Sequence, residues 1–378
     1  MNKKSYRLLC IILFSIFLLS CSTVHDERAA EIEKLIQMQA EAMKQKDDLQ
    51  YLYTISSRRP EYRAEKKSWI QDAIDHNIEK FTLVIKDIQF VNSDEAILKI
   101  LQKYRYKKKD YRINYSLRVI LENNSWKDDD LAFETLETEH FLIYYFPDSK
   151  KYAAMIAEVC EEARKRVLKR YGDEELLKEK TAIKLYQDDE LLRQSVKLSF
   201  QWNFAGWYEY PESIKTTEFE HKASYQQIIE HELVHKITIQ ESNNNLPYWF
   251  SEGLAVYFAN LPNQPNEAAT IENYAHRYPE DSLSIAALEK INLEMLTEER
   301  EISKYYDTSG MILKYMIEHF GIEKVKEIIA ALGQYDYQEG TGAEVNQKAI
   351  ERFHETLPKT IGITVQALDE GWINYLDQ

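Results

Sequence analysis

Residues Ser224 to Phe258 read SYQQIIEHELVHKITIQESNNNLPYWFSEGLAVYF, and the five at the centre, His231-Glu-Leu-Val-His235, decide how the rest of the chain is read. Ser224 followed by Gln227 matches a capping-box start, and Ile228, Ile229, Leu233, Val234 and Ile237 make an apolar stripe at helical spacing. The spacing therefore predicts a helix. Residues four apart on a helix lie one above the other, so the imidazoles of His231 and His235 leave from one face and can bind one metal ion, with Glu232 leaning toward it. A hydrolytic zinc site takes three protein ligands and keeps a fourth position open for water, so the two histidines need a partner.

The run Ser242 to Asn245 is turn-forming, and Pro247-Tyr-Trp-Phe-Ser-Glu-Gly-Leu-Ala-Val-Tyr-Phe258 predicts a second helix that returns along the first. Glu252 lies in that segment among aromatic and aliphatic residues, where a carboxylate is costly to bury unless it is paired or bound to a metal. It is the candidate third ligand.

HELVH followed by Trp249-Phe-Ser-Glu-Gly-Leu-Ala-Val-Tyr257 resembles the gluzincin metallopeptidases, particularly the peptidase-MA-like domains of bacterial envelope proteins. The resemblance implies one zinc ion per chain, held by His231, His235 and Glu252. It also implies Glu232 as the general base that works with a zinc-activated water on a peptide or protein substrate. The thermolysin branch of that superfamily carries a carboxylate one turn after its glutamate ligand. Here that position is Val256, so the group behind the histidine ligands must differ. Tyr305-Tyr-Asp-Thr-Ser-Gly-Met-Ile-Leu-Lys-Tyr-Met316 resembles the helix that closes the cleft in such domains. Tyr306 is the candidate oxyanion donor and Tyr305 its rival.

The N-terminus has a basic start, an apolar run from Leu8 to Leu19, then Ser20-Cys21. The run is short for a membrane span and fits a signal peptide over residues 1–20. Leu18-Leu-Ser-Cys21 resembles a bacterial lipobox, which implies that Cys21 carries lipid, that residues 21–27 form a tether, and that the protein faces the extracytoplasmic side of the cell membrane. Of the other two cysteines Cys10 lies in the leader, so Cys160 has no partner for a disulfide and reads as a small buried hydrophobe. Formal net charge is −15, and the leader is basic, so nucleic acid is not an expected partner.

Outward from the central stretch, the fold class expected is α+β. Helices over Glu27–Lys46 and Asp47–Asn77, broken near Arg58-Arg-Pro60, precede β-rich runs at 81–90, 96–106, 111–122 and 125–133. Helices followed by a curled antiparallel sheet resemble the cone fold of nuclear transport factor 2 and ketosteroid isomerases, which implies an accessory domain over residues 28–134. The boundary is expected near Glu134–Thr138, a short polar stretch before a new strand, with a metallopeptidase domain over residues 135–378. That domain should begin with a small mixed sheet: strands at 140–146 and 181–186, a helix from Ser149 to Tyr171, and a strand pair near 204–210 and 214–216. Its outer strand should lie beside the metal, with Gly206 and Trp207 as candidate substrate-binding residues because glycine permits close backbone approach. The remainder is expected to be mainly helical, in segments near 282–295, 301–319, 322–332, 346–354 and 364–376, with stops at Gly321 and Gly333. Two rivals to a peptidase share these residues: a noncatalytic envelope binding lipoprotein that keeps the fold, and a zinc amidase acting on a cell-wall amide.

Overall fold

In Glu95–Tyr106 every second residue, from Ala96 and Leu98 through Ile100 and Gln102 to Tyr104 and Tyr106, is buried. This is the period-two pattern of a sheet with one covered face. The strand belongs to a computed structural model that describes residues 27–172, 174–211, 213–260, 278, 283–340 and 342–376. The expected leader, Cys21 and most of the tether lie outside the described residues. The chain is α+β and divides into two compact units between Ala132 and Phe133, beside the line drawn from sequence at 134/135.

The first unit has helices α1 (27–45), α2 (Asp48–Tyr53) and α3 (Pro60–Asp75). Four antiparallel strands follow: β1 (Glu79–Phe90), β2 (Glu95–Tyr106), β3 (Lys109–Glu122) and β4 (Ser125–Leu131), in the order β1-β2-β3-β4. Two-residue turns join β2 to β3 at Lys107-Lys108 and β3 to β4 at Asn123-Asn124, all four residues with φ between 45° and 66°. Positive φ at both central positions matches the twist of the flanking strands. Ile32, Leu35 and Ile36 of α1 pack on Leu98, Ile100, Val119 and Trp126 of the sheet. Asp128 is buried beneath them and accepts hydrogen bonds from Gln39, Tyr62 and the backbone of Asp130. Burial pushes its carboxyl up to about 6.

The second unit opens with β5 (Glu134–Glu137), β6 (Phe141–Tyr145), α4 (Lys150–Arg170), β7 (Thr181–Tyr186), α5 (Asp189–Val196), β8 (Gly206–Glu209) and β9 (Ser213–Thr217). The sheet order is β5-β6-β7-β9-β8, with β6, β7 and β9 parallel and both edges antiparallel. Helices α6 (Lys222–Glu241), α7 (Tyr248–Asn260), α8 (Ile285–Leu288), α9 (Glu299–Phe320), α10 (Ile322–Leu332), α11 (Ala343–Ile361) and α12 (Val365–Leu376) complete the described elements. Strand β9, between β7 and edge strand β8, is buried at every residue, as strands covered on both faces are. Helix α6 packs between α4 and α7, and α9 packs on α7.

Three expectations are corrected. The polar stretch at the boundary, expected to precede the first strand, itself holds edge strand β5 (Glu134–Glu137), paired with Leu142–Tyr145, because main-chain pairing with β6 outweighs its polar composition. Ser224 is not the cap of α6: the helix starts at Lys222 after His221, and the Ser224 N–H already bonds to the His221 carbonyl. Within 282–295 the described residues form only the four-residue helix α8, capped by Ser284, and a 3-10 turn at Leu293–Met295.

Helices α7 and α9 cross closely enough that a methyl group on Gly253 would lie 2.5 Å from the Ser309 carbonyl oxygen. Backbone at that distance cannot swing aside as a side chain end can. Gly253→Ala is expected to destabilise the protein by about 1–3 kcal/mol, measured as a lower urea midpoint at unchanged slope. An unchanged midpoint would mean that the crossing is not tightly packed.

Candidate metal centre

The asparagine turn sets the two ligand-bearing helices face to face. Asn243 and Asn244 take left-handed backbone angles of 53° and 57°, which asparagine tolerates better than most residues. The fully buried Asn245 side chain donates to the carbonyls of Ser242 and Asn243, at 2.9 and 3.0 Å, tying off the end of α6. Farther along, Arg170 at the end of α4 donates to Glu230 on α6 at 2.9 Å and to the Phe258 carbonyl at the end of α7. Both helices are thus fastened at either end of the site.

Between those fastenings three donor atoms converge. His231 Nε2 and His235 Nε2 are 3.1 Å apart, and Glu252 Oε2 lies 3.2 Å from the first and 3.3 Å from the second. Ligands held tetrahedrally about 2.0–2.1 Å from one zinc ion stand about 3.3–3.4 Å from each other, so the spacing fits a single ion. Glu252 Oε2 is buried and accepts no aligned hydrogen bond among the described residues. A buried carboxylate oxygen without a donor is a costly arrangement that a cation relieves. Burial by itself would raise the Glu252 carboxyl, but the facing imidazoles of His235 and His231 outweigh it and hold it at about 2. It stays ionised.

Glu232 is shifted the other way. Burial pushes its carboxyl up to about 7, with Glu252 adding to the rise and His231 and the Tyr208 N–H opposing it. Tyr208 lies on β8, which the sheet order makes an edge strand. On the same strand a methyl group on Gly206 would lie 2.5 Å from Glu232 Oε1, so the glycine is what lets the strand reach the carboxylate. The glycine anticipated for approach by a substrate thus also serves an approach by the protein's own acid. Trp207, beside it, lines the same cavity as the histidines and Glu232.

The two tyrosines separate. Tyr306 also lines the cavity, its ring 6.2 Å from that of His231. Burial and the neighbouring Glu252 and Glu232 carboxylates raise its hydroxyl well above the usual range, so it remains a donor. Tyr305 is fully buried in the core and does not line the cavity, and its hydroxyl has no hydrogen-bond partner among the described residues.

Sequence reading missed Ser251. Its Oγ lies 3.1 Å from His235 Nδ1, so an N–H there can donate to the hydroxyl and leave the Nε2 lone pair facing His231 and Glu252. Val256, one turn after Glu252, packs against Gly310. Only its place next to Glu252 in the chain could have pointed to Ser251. A second group missed from sequence brings Glu139, His140 and Glu161 together, but His140 Nδ1 is engaged by Glu161 Oε2 at 2.8 Å and the other Glu161 oxygen by Thr138.

Loss of the hydroxyl in Ser251→Ala is expected to weaken zinc binding about 10–100-fold, with Ser251→Thr close to wild type, as read by chelator competition. Equal affinities in all three proteins would show that the hydroxyl does not orient His235. No protein-family model matches the chain and no curated protein matches it, so a functional reading rests on these residues and their geometry.

Proposed function

We propose that the chain is a zinc-dependent peptidase of the gluzincin kind, tethered to the membrane through lipid on Cys21 and acting outside the cytoplasm on peptide or protein substrates. One observation carries the reading: three ligand atoms at mutual distances of 3.1–3.3 Å stand beside a buried acid, Glu232, on the wall of a cavity. A binding protein has no need of that acid. No described helix is long and apolar enough to cross a membrane, and a lipid anchor requires none.

His231, His235 and Glu252 would hold the zinc, which when bound supplies Lewis acidity to activate a water and polarise a carbonyl. Glu232, ionised, takes a proton from the attacking water and returns it to the leaving amine. Its apolar surroundings favour both halves of that task, because a carboxyl pushed toward neutrality accepts and releases a proton near physiological pH. The Tyr306 hydroxyl donates to the carbonyl oxygen as negative charge develops there. Edge strand β8 offers main-chain groups to an extended peptide along the same wall.

Metal content and hydrolysis test this separately. Protein purified without added metal should contain one zinc per chain, and Glu252→Ala far less. Glu232→Gln should keep the zinc and lose hydrolysis by about 10²–10⁴-fold. Wild type without tightly bound metal would end the peptidase reading. Glu232 works as a base only while ionised, so kcat/KM should fall as pH drops through its pKa. Without metal the carboxyl sits at about 7. A bound dication lowers it, so the acid limb of the profile should lie below that value. A profile flat down to the pH at which zinc is lost would remove Glu232 from the role.

A further inference from the structure

The negative charge of the chain is concentrated in its second unit. Residues 27–132 carry 20 lysines and arginines against 19 aspartates and glutamates, whereas residues 133–378 carry 25 against 43. Of the two units, the first can approach an anionic surface without a large net repulsion.

Within it, basic residues gather at one end of the sheet. The face of β2 turned away from the helices carries Lys99, Lys103 and Arg105, in alternation with the buried Leu98, Ile100, Gln102 and Tyr104. Lys99 lies opposite Asp87, and Arg105 donates to Asp110 at 2.6 and 2.8 Å. Lys103 is placed differently. Its register neighbours are Thr82 on β1 and Arg112 on β3, so two exposed cations stand side by side with no acid directly across from either. Like charges in a directly opposed pair destabilise a sheet.

About four residues farther along, roughly 14 Å, the same hairpin turns through Lys107 and Lys108 into Lys109, and all three are exposed. Lys107 and Lys108 have φ of 45° and 66°, angles that suit glycine and asparagine and cost a long side chain. The turn from β3 to β4 also takes left-handed angles, 52° and 61°, but uses Asn123 and Asn124 for them. The fold thus accepts a penalty at two places on one hairpin, and at both it keeps positive charge.

We propose that this end of the β2–β3 hairpin docks on the anionic headgroups of a phospholipid bilayer. Its charges lie along an open sheet face and a turn, an array that meets many headgroups better than it encloses one ligand. On the tether reading above, Cys21 stands six residues before Glu27, where α1 begins, and six residues reach at most about 20–22 Å. The start of the first unit then stays within about two or three screening lengths of the membrane at physiological salt, close enough for lysines and arginines to be drawn onto it. The inference goes beyond the peptidase reading and takes from it only the membrane.

The test is co-sedimentation of the unacylated chain from Ser22 onward, which keeps every described residue, with vesicles of phosphatidylcholine alone or containing about one third phosphatidylglycerol. The anionic vesicles should bind at least about tenfold more tightly, and the gain should fade as salt rises. Lys103→Gln with Arg112→Gln should remove most of that gain, and so should Lys107→Asn with Lys108→Gly. Both pairs should leave the urea midpoint unchanged or higher, because each relieves a cost in the fold, so lost binding cannot be laid to unfolding. Equal partition onto the two kinds of vesicle, or binding that survives both pairs, would overturn the inference. Binding to soluble polyglycerol phosphate without binding to vesicles would overturn it too, and assign the hairpin to an anionic polymer. Neither zinc nor hydrolysis enters the assay. Vesicle binding by a protein without zinc would end the peptidase reading and leave this inference standing; a zinc-bound protein that ignores the vesicles would do the reverse.

Discussion

Everything in the second unit serves one constraint, the convergence of two imidazole nitrogens and one carboxylate oxygen within 3.3 Å of each other in a partly dry interior. The imidazoles favour the ionised Glu252 carboxylate against the cost of its burial. The packing of the helices brings the three atoms together. The asparagine turn holds one end of the helix pair, and Arg170 bridges α4, α6 and α7 at the other. The close crossing at Gly253 presses α9 onto α7, so that Tyr306 comes to the cavity that Glu252 lines.

The two glutamates show how one small region gives one residue type two characters. Glu252 faces imidazoles and is held at about 2, whereas burial, with the Glu252 charge adding to it, pushes Glu232 up to about 7. Groups driven apart in this way divide acid, base and ligand roles among themselves. A permanently ionised carboxylate suits a metal; one that exchanges its proton near neutrality suits proton transfer. The difference comes from what each side chain packs against, since both lie on the same pair of helices.

The first unit is built on other terms. Its strand β2 buries one face by strict alternation, and its polar interior is organised on Asp128, which accepts three hydrogen bonds. None of its described residues is among the three converging donors or lines the cavity beside them. A lipid-tethered enzyme, in the function proposed, would carry this unit between anchor and catalytic domain.

Much of this was legible in the chain because it is local. The apolar stripe through His231-Glu-Leu-Val-His235, the asparagine turn and the helix bearing Glu252 all depend on residues within about five positions of each other, and the structure has α6, the turn and α7 where that spacing puts them. β-rich composition and the turn signals between the runs likewise marked β1 to β4. Tertiary structure alone decided what depends on atoms remote in sequence. It made the polar run Glu134–Glu137 a strand by pairing it with β6. It set Gly206 against Glu232, and it gave Tyr306 to the cavity and Tyr305 to the core although they are adjacent in the chain. It placed the Ser251 hydroxyl behind His235, a group the chain alone left unnamed. Periodicity and turn chemistry specify a segment's own backbone, but which foreign atom comes within 3 Å of a side chain is settled only when the segments pack.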